Sequence, residues 1–234
     1  MTGLLRLTRV ELTLLGRDIG AVVALLVIPL FVLLSFGWVY AVKDTALPSV
    51  AVALSLALNA LYSVPGALGN AREQGILRRL ATTPVHPAAL LAAQLLTHLL
   101  LTVVSLVLLV TAALLLGVAL PRHVGGALAA LTLGVVALFA LGVLIAAVAP
   151  NSRAATGIGV LLYFPLSLLG GMTIPREQLP PLLARIGDLT PLGAFRQAIQ
   201  QSWAGAVPEP LQLIILALYA VILGAAAVAL FRWE

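Results

Sequence analysis

The chain has no cysteine and a single lysine, and only 9% of its 234 residues are charged. Without cysteine there can be no disulfide, no thiolate nucleophile and no thiolate-bound zinc. The one lysine, Lys43, follows Val42. The phosphate-cradling Gly-x-x-x-x-Gly-Lys-Ser/Thr loop is therefore impossible, and P-loop ATP hydrolysis by this chain is excluded. His86, His98 and His123 are scattered. No His-Glu-x-x-His helix or Gly-x-Ser-x-Gly turn occurs, so no metal site, catalytic residue or hydrolase constellation is expected.

What the chain has instead is apolar length, being 62% hydrophobic with a mean hydropathy of +1.15. Soluble domains carry roughly a quarter charged residues, so this composition cannot build a water-soluble surface. A helix needs about 20 apolar residues to cross a bilayer. The runs predict an all-α membrane protein with six spans, near 19–42, 49–68, 87–120, 125–149, 154–172 and 211–231. One domain, 1–234, then takes up the chain, with no room for a soluble catalytic domain. Pro29 predicts a kink in the first span, and Trp38 and Tyr40 an interfacial end.

Residues 1–18 lack the apolar core and cleavage site of a signal peptide and read as an amphipathic interfacial helix. Thr2, Arg6, Arg9, Thr13 and Arg17 share one face and the leucines the other. Glu11 falls in the apolar arc, either reaching the interface or pairing with a basic residue of the next cytoplasmic loop. Between 173 and 210, Pro175, Pro180, Pro181, Pro191, Pro208 and Pro210 break the chain into pieces too short to span. Residues 182–186 and 192–199 read as short helices of a re-entrant or interfacial hairpin.

All eight acids lie outside the expected spans. Ion-coupled carriers usually keep a carboxylate near the midplane, so the energy for uphill transport is expected from outside the chain. The polar residues within spans are uncharged: Ser55, Asn59, Tyr62 and Ser63; then Gln94, Thr97, His98, Thr102 and Ser105; then Thr156, Tyr163 and Ser167. They serve either interhelical hydrogen bonds or a weakly polar path for an amphipathic substrate. The candidate path residues are Phe31, Ser55, Asn59, Tyr62, Tyr163 and Phe164. Ala130, Gly134, Ala137, Gly142, Gly157 and Gly159 permit close helix approach.

With the N-terminus inside, cytoplasmic segments hold Arg6, Arg9, Arg17, Arg72, Arg78, Arg79, Arg153 and Arg232. Outer segments hold Lys43, Arg122, Arg176, Arg185 and Arg196. The positive-inside rule then places both termini in the cytoplasm, along with the densest charged stretch, residues 69–84. The basic residues are spread among loops, so no nucleic-acid partner is implied.

That stretch, from Arg72-Glu73-Gln74-Gly75 through Leu77-Arg78-Arg79-Leu80 to Thr83-Pro84, resembles the signature after span 2 of type-2 ATP-binding cassette (ABC) permeases. The family pattern is Glu-Arg-Glu-x-Gly-Thr-Leu, then a Leu and Thr/Ser-Pro. Arg72, Glu73, Gly75, Leu77, Leu80 and Pro84 match it; Asn70 replaces the first acid and Ile76 the Thr. Gly171-Met172-Thr173-Ile174-Pro175, Leu179-Pro180 and Thr190-Pro191-Leu192 resemble the family's segment after span 5. The resemblance implies a homodimeric permease in a bacterial cell membrane, working with two copies of a separate ATPase that binds ATP and Mg. It places Arg6, Arg9 and the 69–84 coupling segment against that ATPase, and an outer gate at Pro175, Pro180 and Pro191. Arg72, Glu73, Arg78 and Arg79 suit docking by charge, and Leu77 and Leu80 anchor apolarly. The implied activity is export of a hydrophobic or amphipathic drug, antibiotic or lipid, closest to the antibiotic and multidrug-resistance branch. The competing expectation is a carrier or channel that needs no partner.

Overall fold

The computed structural model describes residues 8–9, 11–13, 16, 19–37, 46–75 and 87–230. All regular structure among them is helical. Helix α1 covers residues 19–37, with a π-helical turn at Val23–Val27. Helix α2 is Ala46–Glu73, with a second π turn at Asn59–Ser63. Then follow α3 (Pro87–Leu115), α4 (Val124–Val148) and α5 (Ser152–Leu169). After a 3₁₀ turn at Arg176–Gln178 come α6 (Pro181–Asp188), α7 (Pro191–Ala204) and α8 (Pro210–Leu230). Five of these helices, α2, α3, α4, α5 and α8, are long and apolar enough to cross a membrane. The first expected span is described over 19–37, of which Leu25–Ser35 is apolar. Trp38, Tyr40 and most of the expected interfacial helix, Arg6 included, lie outside the described residues.

Both π turns precede a proline. Proline lacks an N–H, and its ring displaces the carbonyl four residues back. A widened turn absorbs that displacement. Behind Pro29 the Leu25 carbonyl meets Ser105 Oγ at 3.4 Å. Behind Pro65 the Leu61 carbonyl is aimed at Gly159, where a Cβ would fall 1.6 Å from the oxygen. The sequence singles out Pro29 as a point of irregularity and passes over Pro65.

α2 and α4 occupy the centre, while α5 and α8 expose most of their length. α3 is polar inward and apolar outward: Gln94, Thr97, His98, Thr102 and Ser105 are buried, whereas Leu99, Val103, Val104 and Val107 are exposed. That inversion suits a hydrocarbon surround.

α7 enters the bundle through Leu192, Phe195 and Ile199, all fully buried. Its Phe195 ring sits on Gly134, where a Cβ would lie 2.3 Å from a ring carbon. At a rise of about 1.5 Å per residue, Gly134 is about 15 Å along α4 from Val124. The other end of α7 returns to the helix ends, where Trp203 Nε1 donates to the Ala119 carbonyl at 3.0 Å. His123 N donates there to the Ser202 carbonyl at 3.1 Å. α7 thus dips partway down the bundle. It starts with Thr190 Oγ1 accepting from Gly193 N at 3.1 Å and stops at Gly205, whose φ is +91°.

Glu11 packs on α3. Its side chain bonds to Gln94, an amide partner that the sequence does not predict, while the basic residues Arg78 and Arg79 of the next loop lie outside the described residues. Burial pushes the carboxyl above the ordinary glutamate range, and the Gln94 bond only partly opposes this. The protonated form is favoured in the fold. Its contribution is complete below the ordinary glutamate pKa and is lost as pH rises through the raised value. Glu11→Gln is therefore expected to stabilise the purified protein at neutral pH by up to about 1 kcal/mol, or ~2–4 °C in Tm. The gain should vanish when melting is repeated at acid pH.

Candidate coupling site and translocation path

The charged stretch begins inside a helix. Hydropathy predicts the second span to end near residue 68, but α2 continues to Glu73 and stops at Gly75, whose φ is +64°. That left-handed conformation suits glycine and terminates the helix. Arg72 and Glu73 therefore project from a rigid last turn.

Both are bonded within the chain. Arg72 Nη1 donates to the Ala146 carbonyl at 3.3 Å, and Nη2 donates to the Ala149 carbonyl. These carbonyls belong to the C-terminal end of α4, where orphan acceptors and the negative end of the helix dipole favour a cation. Glu73 Oε1 accepts from Ser152 N at 2.8 Å. That N–H opens α5, where the dipole favours an anion. Asn151 Oδ1 completes the cap by accepting from Ala154 N at 2.7 Å. Two adjacent residues of opposite sign thus clasp the α4–α5 turn, one on each helix end.

Below the clasp, α2 and α5 meet through small residues. A Cβ on Gly69 would lie 2.7 Å from Ser152 Cα, and one on Gly66 2.8 Å from Thr156 Oγ1. Gly159 then receives the Leu61 carbonyl, and Gly142 of α4 receives the Ala60 carbonyl, with a Cβ placed 2.1 Å away. At the far end of α5, Gly187 of α6 packs on the Leu169 carbonyl at a distance that admits no Cβ. A close-packed seam therefore runs from the clasp along α5 to the α6–α7 hairpin.

Asn70 is exposed, with its Oδ1 accepting from Gln74 Nε2 at 3.1 Å. Arg9 is exposed as well. Leu77, Arg78, Arg79, Leu80, Pro84 and Arg6 lie outside the described residues. Pro175, Pro180 and Pro191 each stand at the start of a short helical piece, Pro191 as the first residue of α7.

The six path residues stand in different surroundings within the single chain. Ser55 and Asn59 are buried and engaged with α3. Ser55 Oγ and Ser105 Oγ are 2.7 Å apart. Asn59 Nδ2 donates to the His98 carbonyl at 2.9 Å and to Thr102 Oγ1 at 2.7 Å, and Asn59 Oδ1 lies 2.8 Å from His98 Nδ1. Tyr62 is half-buried. Tyr163 and Phe164 meet edge to face at 5.7 Å. Phe31 and Phe164 lie on the surface of the single chain, 67% and 64% exposed. A separate apolar groove of about 520 Å³ between α3, α4 and α8 contains none of the six.

Ser152, Gly66 and Pro65 carry no expectation from sequence, and Gly69 enters only as the first residue of the charged stretch. Their signals were an Asn-Ser helix start after Pro150, a Gly-x-x-Gly pair near the end of a span, and a proline inside it.

Residues 2–202 match a family described as ABC-2 type transporter. A search of curated protein sequences gives no match.

Proposed function

We infer the function from one premise: the chain belongs to the ABC-2 type transporter family. It is a multi-pass membrane permease subunit, and families of this kind pair with an ATP-binding cassette subunit. The finer reading is our proposal. The chain forms a homodimer of six-span protomers in a bacterial inner membrane, with both termini cytoplasmic. Two copies of a separate ATPase bind ATP and Mg. The complex exports a hydrophobic or amphipathic small molecule, in the manner of the antibiotic and multidrug-resistance branch.

The observation that carries this reading is the clasp of Arg72 and Glu73 on the α4–α5 turn. The sequence reading aims these side chains at the ATPase. Their bonds within the chain favour a different division of labour. Residues beyond Gly75, with Arg78, Arg79, Leu77, Leu80 and Pro84, make the contact, together with Arg6 and Arg9 from the N-terminal segment. Arg72 and Glu73 pass the displacement to α4 and α5. The α2–α5 seam carries it to the hairpin that begins at Pro175, Pro180 and Pro191, which opens outward. Phe31, Tyr62, Tyr163 and Phe164 line the path between protomers, while Ser55 and Asn59 fix α2 against α3 behind it.

A partner-independent carrier is the competing reading, and the acid-free spans weigh against it. Vesicle transport with and without the ATPase separates the two.

A further inference from the structure

At the end of the molecule opposite the clasp, a cavity of about 410 Å³ lies between the α6–α7 hairpin and the start of α8. Its wall includes Arg176, Asp188, Arg196, Gln197, Glu209 and Gln212. Arg196 and Gln212 are each only 4% exposed.

The hydrogen bonds of this wall run in one direction. Arg176 Nε donates to Asp188 Oδ1 at 2.7 Å. Gln197 Nε2 donates to the same oxygen. Gln212 Nε2 donates to Gln197 Oε1 at 3.2 Å. The chain ends on Gln212 Oε1, a buried acceptor with no hydrogen-bond partner. Such atoms are rare in folded proteins and call for a donor.

The charges point the same way. Arg196 donates to the Gly170 carbonyl and, at 2.7 Å, to Gln200 Oε1. Arg176 is held by Asp188. Glu177 and Glu209 also face the cavity, and neither is in an ion pair among the described residues. Three carboxylates thus face two guanidiniums, each already bonded through two of its nitrogens. The cavity therefore carries one negative charge in excess and, on Gln212, an unmet acceptor. At the rim Leu211 is 54% exposed, and Ile214 one turn further on is 61% exposed, so the cavity opens onto an apolar surface.

We propose that this cavity binds the ammonium head of an amphipathic primary amine, with Gln212 Oε1 accepting an N–H, Glu209 balancing the charge and the apolar tail lying along α8. A primary ammonium brings one positive charge and three donors. The amine is either an aminoethyl lipid headgroup or a cargo molecule. Only the cargo case rests on the exporter reading; binding itself does not.

The test uses the full chain in phosphatidylcholine nanodiscs, with equilibrium dialysis of labelled octylamine and subtraction of empty discs. Saturable binding is expected, with octyltrimethylammonium, which has no N–H, at least about tenfold weaker. Gln212→Leu should weaken octylamine binding about ten- to hundredfold, and Gln212→Glu should strengthen it. Glu209→Gln, at an exposed position, should weaken it severalfold without touching the buried network. Replacing the lipid by phosphatidylethanolamine distinguishes the sources. Loss of octylamine affinity together with retained lipid in native mass spectrometry assigns the headgroup; unchanged affinity assigns cargo. The proposal is overturned by an absence of saturable binding in phosphatidylcholine discs, or by equal binding of the primary and quaternary amines. Wild-type affinity in both Gln212→Leu and Glu209→Gln would overturn it as well. Because no ATP or ATPase enters the assay, a failure of transport leaves this result standing.

Discussion

Gly159→Ala is expected to remove most of the folded protein from the membrane, whereas Gly157→Ala, two residues earlier on the same helix, is expected to accumulate normally. A Cβ at 159 would lie 1.6 Å from the Leu61 oxygen and 2.7 Å from its carbonyl carbon. At Gly157 a Cβ meets nothing within 4 Å. Overpacking a core position costs typically about 1–3 kcal/mol. The expected cost here lies at or above the top of that range, because the obstacle is backbone and cannot rotate away. Nor can the carbonyl return to an ordinary helical bond, since Pro65 blocks that turn. Gly142→Ala, against the Ala60 carbonyl, should fail for the same reason. Size-exclusion profiles of detergent extracts, with the monodisperse fraction as readout, check all three. Normal profiles for both Gly159→Ala and Gly142→Ala would mean that the seam does not exist as described.

The second large effect is expected at the clasp. Arg72→Ala or Glu73→Ala should leave a folded chain and a complex that still hydrolyses ATP, with transport per ATP reduced about tenfold, a coupling loss of about 1.4 kcal/mol. The exchange of the two residues, Arg72→Glu with Glu73→Arg, is the sharper case. If the side chains paired with each other, exchanging them would restore function. Their partners are instead the two helix ends of the α4–α5 turn. The exchange puts an anion at the C-terminal end of α4 and a cation at the N-terminal end of α5. Each misplacement costs about 0.3–1 kcal/mol beyond the lost bond. The double variant should therefore be worse than either alanine variant in the ratio of transport to hydrolysis. Rescue by the exchange would refute the assignment.

Much of the architecture was legible because hydrophobic runs and their punctuation coincide. α4 begins and ends within a residue of its predicted span, and α8 begins within a residue of its own, since His123, Pro150 and Pro210 mark these limits. α2 was read too short because its last turn, Asn70 to Glu73, is polar while still helical. Apolarity reports what sits in hydrocarbon, whereas helix length follows from where Gly75 stops the backbone. α7 was also underestimated. Leu192, Phe195, Ile199 and Trp203 carry its buried stripe, but Arg196, Gln197, Gln200 and Gln201 interrupt the hydropathy. Those polar residues turned out to face the hairpin cavity, apart from the buried stripe.

The site was legible as a segment and not as a geometry. The pattern from Arg72 to Pro84 drew attention to this segment of the chain. It could not show that Arg72 and Glu73 turn back onto residues 146–152, because those partners are backbone atoms and leave no trace in side-chain pattern. The polar faces of α2 and α3 were likewise visible separately. That Asn59 meets His98 and Thr102 depends on how the helices cross, which periodicity does not specify.

The measurement that bears most directly on an ATP-driven permease is transport into proteoliposomes, across a panel of fluorescent amphipathic compounds, by the chain alone and by the chain with its ATPase subunit. The account predicts no movement by the chain alone under a proton or sodium gradient. With the ATPase present, it predicts ATP-dependent accumulation and cargo-stimulated hydrolysis. Transport by the chain alone, or transport by the complex that does not depend on ATP, would contradict it.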